Sequence, residues 1–313
     1  VSPRQLFDRA GVVLGLALVA AVFGMLLGPQ FFSPVNLELI LRQTAIVSTA
    51  ALGMTIVIAA GGIDLSVGSM IALNTVVIAL MLGSGASPAT AAIGGVAATA
   101  VCGLVNGLLV TRLGVVPFIV TLGTMLVIRG AAKGLAGEVR LEAPITWLND
   151  LLRRPDTAIL LPAGVWLLAA ISVVVSLLLR YTTFGRHVFA IGSNERMARL
   201  CGVPINRQKT LIYTLAGALT GIAGVLQFSR LSVGDPTVAV GLELNVIAAV
   251  VIGGGSLLGG RGSVSGSLIG STIMTVIQIG CSQLGLANWV QEIVTGGIII
   301  TAVTLDRVRM GKT

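Results

Sequence analysis

Carboxylates are scarce in the apolar parts of this sequence, and Asp64 stands where one needs a reason. It lies in Gly61-Gly62-Ile63-Asp64-Leu65-Ser66-Val67-Gly68-Ser69, between two long apolar runs, Thr44 to Ala60 and Met70 to Leu82. Charge in hydrocarbon is costly, so an acid at such a place is a candidate for work on a passing solute. It is also suited to be the N-cap of the next helix, its carboxylate meeting free backbone N–H groups, and the two roles are compatible. The adjacent glycines loosen a helix and let other backbones come close. Glu243 and Glu292 sit only near the margins of other apolar runs.

The remaining reactive side chains form no catalytic pattern. The one histidine, His187, falls in a basic loop, so neither a Ser-His-Asp set nor a histidine metal site is expected. Cys102, Cys201 and Cys281 are widely spaced and suggest neither a disulfide framework nor a metal centre. The C-terminal Gly311-Lys312-Thr313 has the look of the end of a nucleotide-binding loop, but Asp306 occupies the place of its first glycine. The expectation is therefore no catalytic residue, no cofactor and no metal. With so few ionisable groups inside apolar segments, any pumping would draw its energy from a partner.

The elements that must position these residues follow from composition. The chain has 313 residues, 55% of them hydrophobic and 10% charged, with a mean hydropathy of +1.00. Soluble domains carry about 25% charged residues, so this is an integral membrane protein. Its 41 glycines suggest close helix packing. The net charge of +8 is read loop by loop as orientation, not as affinity for nucleic acid.

Ten apolar segments are long enough, or nearly so, to span: roughly 11–28, 38–60, 64–83, 89–110, 116–133, 160–180, 210–229, 244–258, 264–284 and 289–305. The first reads as a retained helix, being longer than a signal-peptide core and lacking a small-x-small cleavage site. Between Arg180 and Lys209 six basic residues face one acid, Glu195. The loop from Ala131 to Leu161 is balanced, with Lys133, Arg140, Arg153 and Arg154 against Glu138, Glu142, Asp150 and Asp156. The positive-inside rule puts the first loop in the cytoplasm and the second outside. Ten spans then place both termini in the cytoplasm, in agreement with Arg4 and Arg9 at one end and Arg307, Arg309 and Lys312 at the other. The fold expected is all-α and polytopic, one transmembrane domain over residues 1–313.

Two weaker patterns accompany this. Ile58-Ala59-Ala60-Gly61-Gly62-Ile63-Asp64-Leu65 resembles Val250-Val251-Ile252-Gly253-Gly254-Gly255-Ser256-Leu257, as in transporters with duplicated halves. Gly-rich composition alone also generates such matches. Gly103 and Gly107, Gly217 and Gly221, and Gly262, Gly266 and Gly270 are small-xxx-small pairs assigned to packing within the chain.

Several stretches together carry a family resemblance. They are Gly61 to Ser69; Pro117-Phe118-Ile119-Val120-Thr121-Leu122-Gly123-Thr124; Thr183-Phe184-Gly185-Arg186, continuing through Ala190-Ile191-Gly192-Ser193-Asn194; Glu243-Leu244 with Ile247 to Gly254; and Ser256-Leu257-Leu258-Gly259-Gly260. Over about residues 36 to 306 the chain resembles the permease subunit of bacterial ABC sugar importers of the ribose, xylose and arabinose class. The resemblance implies a multi-pass inner-membrane protein that pairs with a second permease copy. It also implies two cytoplasmic ATP-binding subunits beneath and a periplasmic sugar-binding protein that delivers a monosaccharide.

In that family a short cytoplasmic helix inserts into a cleft of the ATPase. By motif it is Asn194 to Gly202 here, with Asn194, Met197, Ala198, Cys201 and Gly202 as the coupling residues, inside a loop of about residues 181–209. Met197-Ala198 stands where two alanines are common in the family. Met197, Ala198 and Cys201 form a narrow apolar stripe on a basic helix. Such a stripe suits a groove in a partner or the inner leaflet. A neutral sugar needs hydrogen-bond donors and acceptors with little charge. Among the intramembrane amides Asn74, Asn106, Gln227, Asn245 and Gln278, which equally serve to tie helices, Asn106 and Asn245 join Asp64 as the expected pathway lining. The competing reading is a self-sufficient secondary carrier or facilitator for a small polar solute. An intramembrane enzyme has no nucleophile–base pair to support it.

Overall fold

The computed structural model describes residues 3–153 and 161–310. Arg154, Asp156 and Lys312 lie outside the described residues, as do the side chains of Arg4, Arg9, Arg307 and Arg309.

The helices are α1 Pro3–Leu27, α2 Pro34–Ala59, α3 Val67–Gly83, α4 Pro88–Leu113, α5 Pro117–Ala136, α6 Ala163–Tyr181, α7 Thr183–Ser193, α8 Glu195–Leu200, α9 Ile205–Leu231, α10 Leu242–Ile252, α11 Val264–Gln283 and α12 Asn288–Met310. Their ends follow local chemistry. Ser33 and Ser87 cap α2 and α4 with their hydroxyl oxygens, each followed by a proline at the first helical position. Gly114 and Gly137 close α4 and α5 in the left-handed conformation.

Among the described residues seven helical stretches are long and apolar enough to cross a membrane: α1 with the 3₁₀ turn after it, α2, α4, α5, α6, α9 and α11. The chain is thus an all-α, multi-pass membrane protein. All ten expected segments carry a helix, but two are cut short. Helix α3 has 17 residues and α10 has 11. At 1.5 Å per residue these run about 26 Å and about 17 Å, against a hydrocarbon core of about 30 Å. Asp64 to Ser66 turn ahead of α3, and Gly253 to Gly255 end α10 where the sequence suggested a helix on to residue 258.

Helix α2 is the centre of the bundle. Its apolar window is 89% buried, against 11% for that of α1, whose Leu14, Leu18 and Met25 stay exposed for lipid. It packs on α6, α9, α10 and α11. The glycine pairs pack within the chain, as expected. A Cβ at Gly107 would lie 2.7 Å from the Cα of Thr210, and Gly103 meets Gly217 in the same seam of α4 against α9. Gly266 and Gly270 of α11 sit against the backbone of Gly253 and Ala249.

One short strand pair accompanies the helices. Leu141–Glu142 (β1) and Val233–Gly234 (β2) form an antiparallel two-residue ladder, Leu141 opposite Gly234. The faint repeat is a repeat of turn geometry, with the register moved by one residue. Gly61 N–H bonds Ile58 O at 2.9 Å and Gly62 N–H bonds Val57 O at 3.0 Å; Gly254 bonds Val251 O at 2.9 Å and Gly255 bonds Val250 O at 2.8 Å. Gly61 and Gly254 have φ of 79° and 89°, the left-handed conformation such helix ends favour. Three residues beyond Gly61, Asp64 accepts the N–H of Ser66; two beyond Gly254, Ser256 accepts that of Leu258.

Candidate pathway and coupling site

The turn between α2 and α3 places Asp64 outside the helix it was expected to cap. Ser66 holds the N-cap position of α3. Asp64 Oδ1 instead accepts the Ser66 N–H at 2.8 Å and the Ser66 hydroxyl at 2.5 Å. Asn106 Nδ2 on α4 donates to the same Ser66 Oγ at 2.9 Å. Asp64, Ser66 and Asn106 are all buried. The structure thus joins two of the three expected lining residues through a serine that sequence reasoning left without a role. Its signal was its place two residues after an aspartate, the spacing of a side-chain-to-backbone turn. Asn245 stands half-buried on α10, apart from this set.

Spare polar capacity faces the turn. Asn106 Oδ1 and the buried Tyr213 hydroxyl make no hydrogen bond among the described residues, and a Cβ at Gly62 would lie 2.5 Å from that hydroxyl. Such groups suit the hydroxyls of a neutral solute better than a charge. Thr121 of α5 donates to Ile63 O at 3.1 Å and holds the turn from another side. Asn74 fills the space between Gly95 and Gly224, and its buried amide makes no hydrogen bond among the described residues.

Residues 233–241 run back along α3 from the end of α9. Asp235 N–H bonds Thr75 Oγ1 at 3.2 Å, and the Asp235 carboxylate pairs with Arg140 at 2.9 Å. Arg129 of α5 donates to Pro236 O at 3.0 Å and Val238 O at 2.7 Å. Below them Gly68 packs against Ala239 and the Glu243 carboxylate. Arg129 went unremarked in the sequence, although a lone guanidinium inside an apolar segment is a functional signal by default.

The expected coupling residues form α8 and its two ends. Asn194 is the N-cap, its Oδ1 accepting the Met197 N–H at 3.0 Å. Gly202, at φ 81°, lets Val203 N–H reach back to Ala198 O at 3.0 Å and close the helix. The apolar stripe divides differently from the expectation. Ala198 is 5% exposed and packs inward on Ile191 and Ile205, whereas Met197 is 55% and Leu200 80% exposed, with Cys201 beside them. Ala198 therefore seats α8 on α7 and α9, and Met197, Leu200 and Cys201 face outward. Glu195 accepts from Lys209 at 2.7 Å and from Arg199 at 3.2 Å. The Lys209 bond, above all, holds its carboxyl below the ordinary glutamate range.

Helix α7 carries α8 onto the Asp64 turn. A Cβ at Gly192 would clash with Ala59 O and lie 2.5 Å from Gly260 N, and one at Gly259 would lie 2.9 Å from Gly61 Cα. The ends of α2 and α7 and the loop after α10 therefore meet backbone to backbone.

These features describe a multi-pass helical membrane protein, and comparison with known proteins defines its class. The family model described as branched-chain amino acid transport system / permease component matches residues 36–303, and the chain belongs to that family. It is 41% identical to the ribose import permease protein of Bacillus subtilis (strain 168) over 306 residues, 96% of this chain and 93% of the relative. It is 37% identical to the L-arabinose ABC transporter permease protein of Azospirillum brasilense, over 98% and 90% of the two chains. The D-allose transport system permease protein of Escherichia coli (strain K12) is 32% identical, over 96% and 92%. No solved structure matches the chain. A permease of this family is a transport component and does no chemistry of its own.

Proposed function

We propose that this chain is the membrane-spanning subunit of an ATP-driven importer that passes a ribose-, xylose- or arabinose-like monosaccharide into the cytoplasm across the bacterial inner membrane. It works as a pair with a second copy, with ATP-binding subunits on the α8 side and a periplasmic binding protein on the side of residues 137–153. The sugar passes the turn at Asp64, Ser66 and Asn106, with Asn245 of α10 further along the path. Ten crossings, counting α3, α10 and α12, put both termini in the cytoplasm.

The observation that carries this reading is the seat of Gly192. The chain has no nucleotide-binding loop, so force must enter through a cytoplasmic surface. Helix α8 offers an outward apolar face on an otherwise basic surface, and its neighbour α7 is wedged against the end of α2, a few residues from Asp64. A partner that moves α8 moves the turn. Named sugar permeases among the relatives supply the substrate class.

The test is uptake of labelled monosaccharide by vesicles holding the permease with its ATPase and binding protein. Uptake is expected to require ATP and to survive ionophores that collapse the proton gradient. Uptake driven by the gradient without ATP would establish the secondary carrier instead. Orientation is tested separately by single cysteines at Asp150 and Asn206 in a cysteine-free variant. An impermeant reagent applied to outer-permeabilised cells should label position 150 and spare 206; the reverse pattern overturns the orientation.

A further inference from the structure

Between α4 and α9, at the end nearest α8, lies an open groove of about 530 Å³. Its wall on α4 is Leu108, Thr111 and Arg112; its wall on α9 is Arg207, Thr210 and Leu211. The two helices run in opposite directions, so Arg112, in the last turn of α4, and Arg207, in the first turn of α9, stand at the same end. Leu108 and Leu211 lie one turn further in. The groove is therefore cationic at its mouth, with leucines (Leu104, Leu108, Leu211) and threonines (Thr111, Thr210, Thr214) along its length.

Neither arginine has a carboxylate partner among the described residues, although Lys209 and Arg199 nearby both engage Glu195. Thr111 and Thr210 face each other at 3.4 Å across the seam, the Thr111 hydroxyl donating to Gly107 O at 2.8 Å. Arg112 and Arg207 are exposed and Leu211 is 41% exposed. An unpaired guanidinium pair is matched by a phosphate, whose oxygens accept charge-assisted bonds from both. Basic pockets between membrane helices at the cytoplasmic face suit anionic headgroups. A headgroup at this mouth would lay its acyl chain along Leu108 and Leu211 toward the membrane interior.

We infer that the α4–α9 groove is a binding site for an anionic phospholipid, its phosphate held between Arg112 and Arg207 and its acyl chain along Leu108 and Leu211. Assignment to the cytoplasmic leaflet rests on the orientation proposed above, which the cysteine labelling tests on its own. The site itself does not depend on it.

The experiment is native mass spectrometry of the purified transporter, delipidated and titrated with phosphatidylglycerol or with phosphatidylcholine of the same chains. The wild-type permease is expected to retain phosphatidylglycerol over phosphatidylcholine. Arg112→Gln/Arg207→Gln should lower that retention about tenfold or more, since a bond between charged groups is worth a factor of that order. Arg186→Gln/Arg261→Gln, which removes equal charge from exposed positions outside the groove, should leave it unchanged. A melting curve for each variant confirms that the fold is intact. Equal retention of the two lipids by wild type, or equal loss in both double variants, overturns the site. Competition of the lipid by added ATPase subunit would assign the groove to that protein and overturn it likewise.

Discussion

Gly260 donates its backbone N–H to the carbonyl oxygen of Ala59 at 2.9 Å, joining the end of α2 to the loop that follows α10. The two turns related by the internal repeat are thus bonded to each other, and Gly192 of α7 lies against both. The segment that carries Asp64 and the segment that carries Ser256 share one contact with the helix leading to α8. This arrangement allows one displacement of α8 to reach both repeats together.

At Asp64 two substitutions separate geometry from charge. Asp64→Asn keeps an oxygen for the Ser66 N–H and hydroxyl, so the protein should fold and transport should fall only modestly. Asp64→Leu strands both Ser66 donors in a buried site, at about 1–3 kcal/mol for each. Its melting temperature and sugar uptake should both drop sharply. Normal uptake by the leucine variant would remove this turn from the pathway.

On α8 the inward and outward residues should behave differently. Leu200→Asp places a charge on the exposed face and should leave the permease folded while weakening ATPase copurification. Loss of one central contact in such an interface costs about 2 kcal/mol or more, roughly thirtyfold in affinity. Ala198→Asp buries an unpaired charge against Ile191 and Ile205 and should disorder the loop itself, seen as faster proteolysis. Full ATPase retention by Leu200→Asp would contradict the docking face.

The Glu195 tether to Lys209 and Arg199 gives α8 a pH dependence. Its carboxyl is held below the ordinary range in the folded protein. The tether is therefore complete above the ordinary glutamate value and is lost as pH falls through the lowered one. A spin label on Cys201, with Cys102 and Cys281 replaced by alanine, should be immobile at neutral pH and become mobile on acidification. Glu195→Gln should be mobile across the whole range. A wild-type label indifferent to acid would show that the tether does not hold α8.

Much of this site was legible in the sequence, and the gaps have physical causes. Asp64 stood out because charge in hydrocarbon needs a reason, and each of the ten apolar segments carries a helix. Ser66 was hidden because its second partner, Asn106, comes from a helix forty residues on. The apolar run after Glu243 continues through Leu258 without a charge, and hydropathy does not register the left-handed φ at Gly254 that follows the end of the helix. The inner face of α8 was misread because six residues make less than two turns, and only Ile191 and Ile205 decide which side is buried. The β1–β2 pairing joins residues too far apart for any local pattern to announce.

The central claim, that α7 carries motion from α8 to the Asp64 turn, is tested most directly by Gly192→Ala, with sugar uptake and ATP hydrolysis measured in the same vesicles. A methyl group there meets the backbone of Ala59 and Gly260, and relieving such overpacking costs about 1–3 kcal/mol of displaced structure. The ATPase should still bind and hydrolyse ATP, because α8 is untouched. The account predicts that sugar imported per ATP falls about tenfold. An unchanged ratio of import to hydrolysis would contradict it.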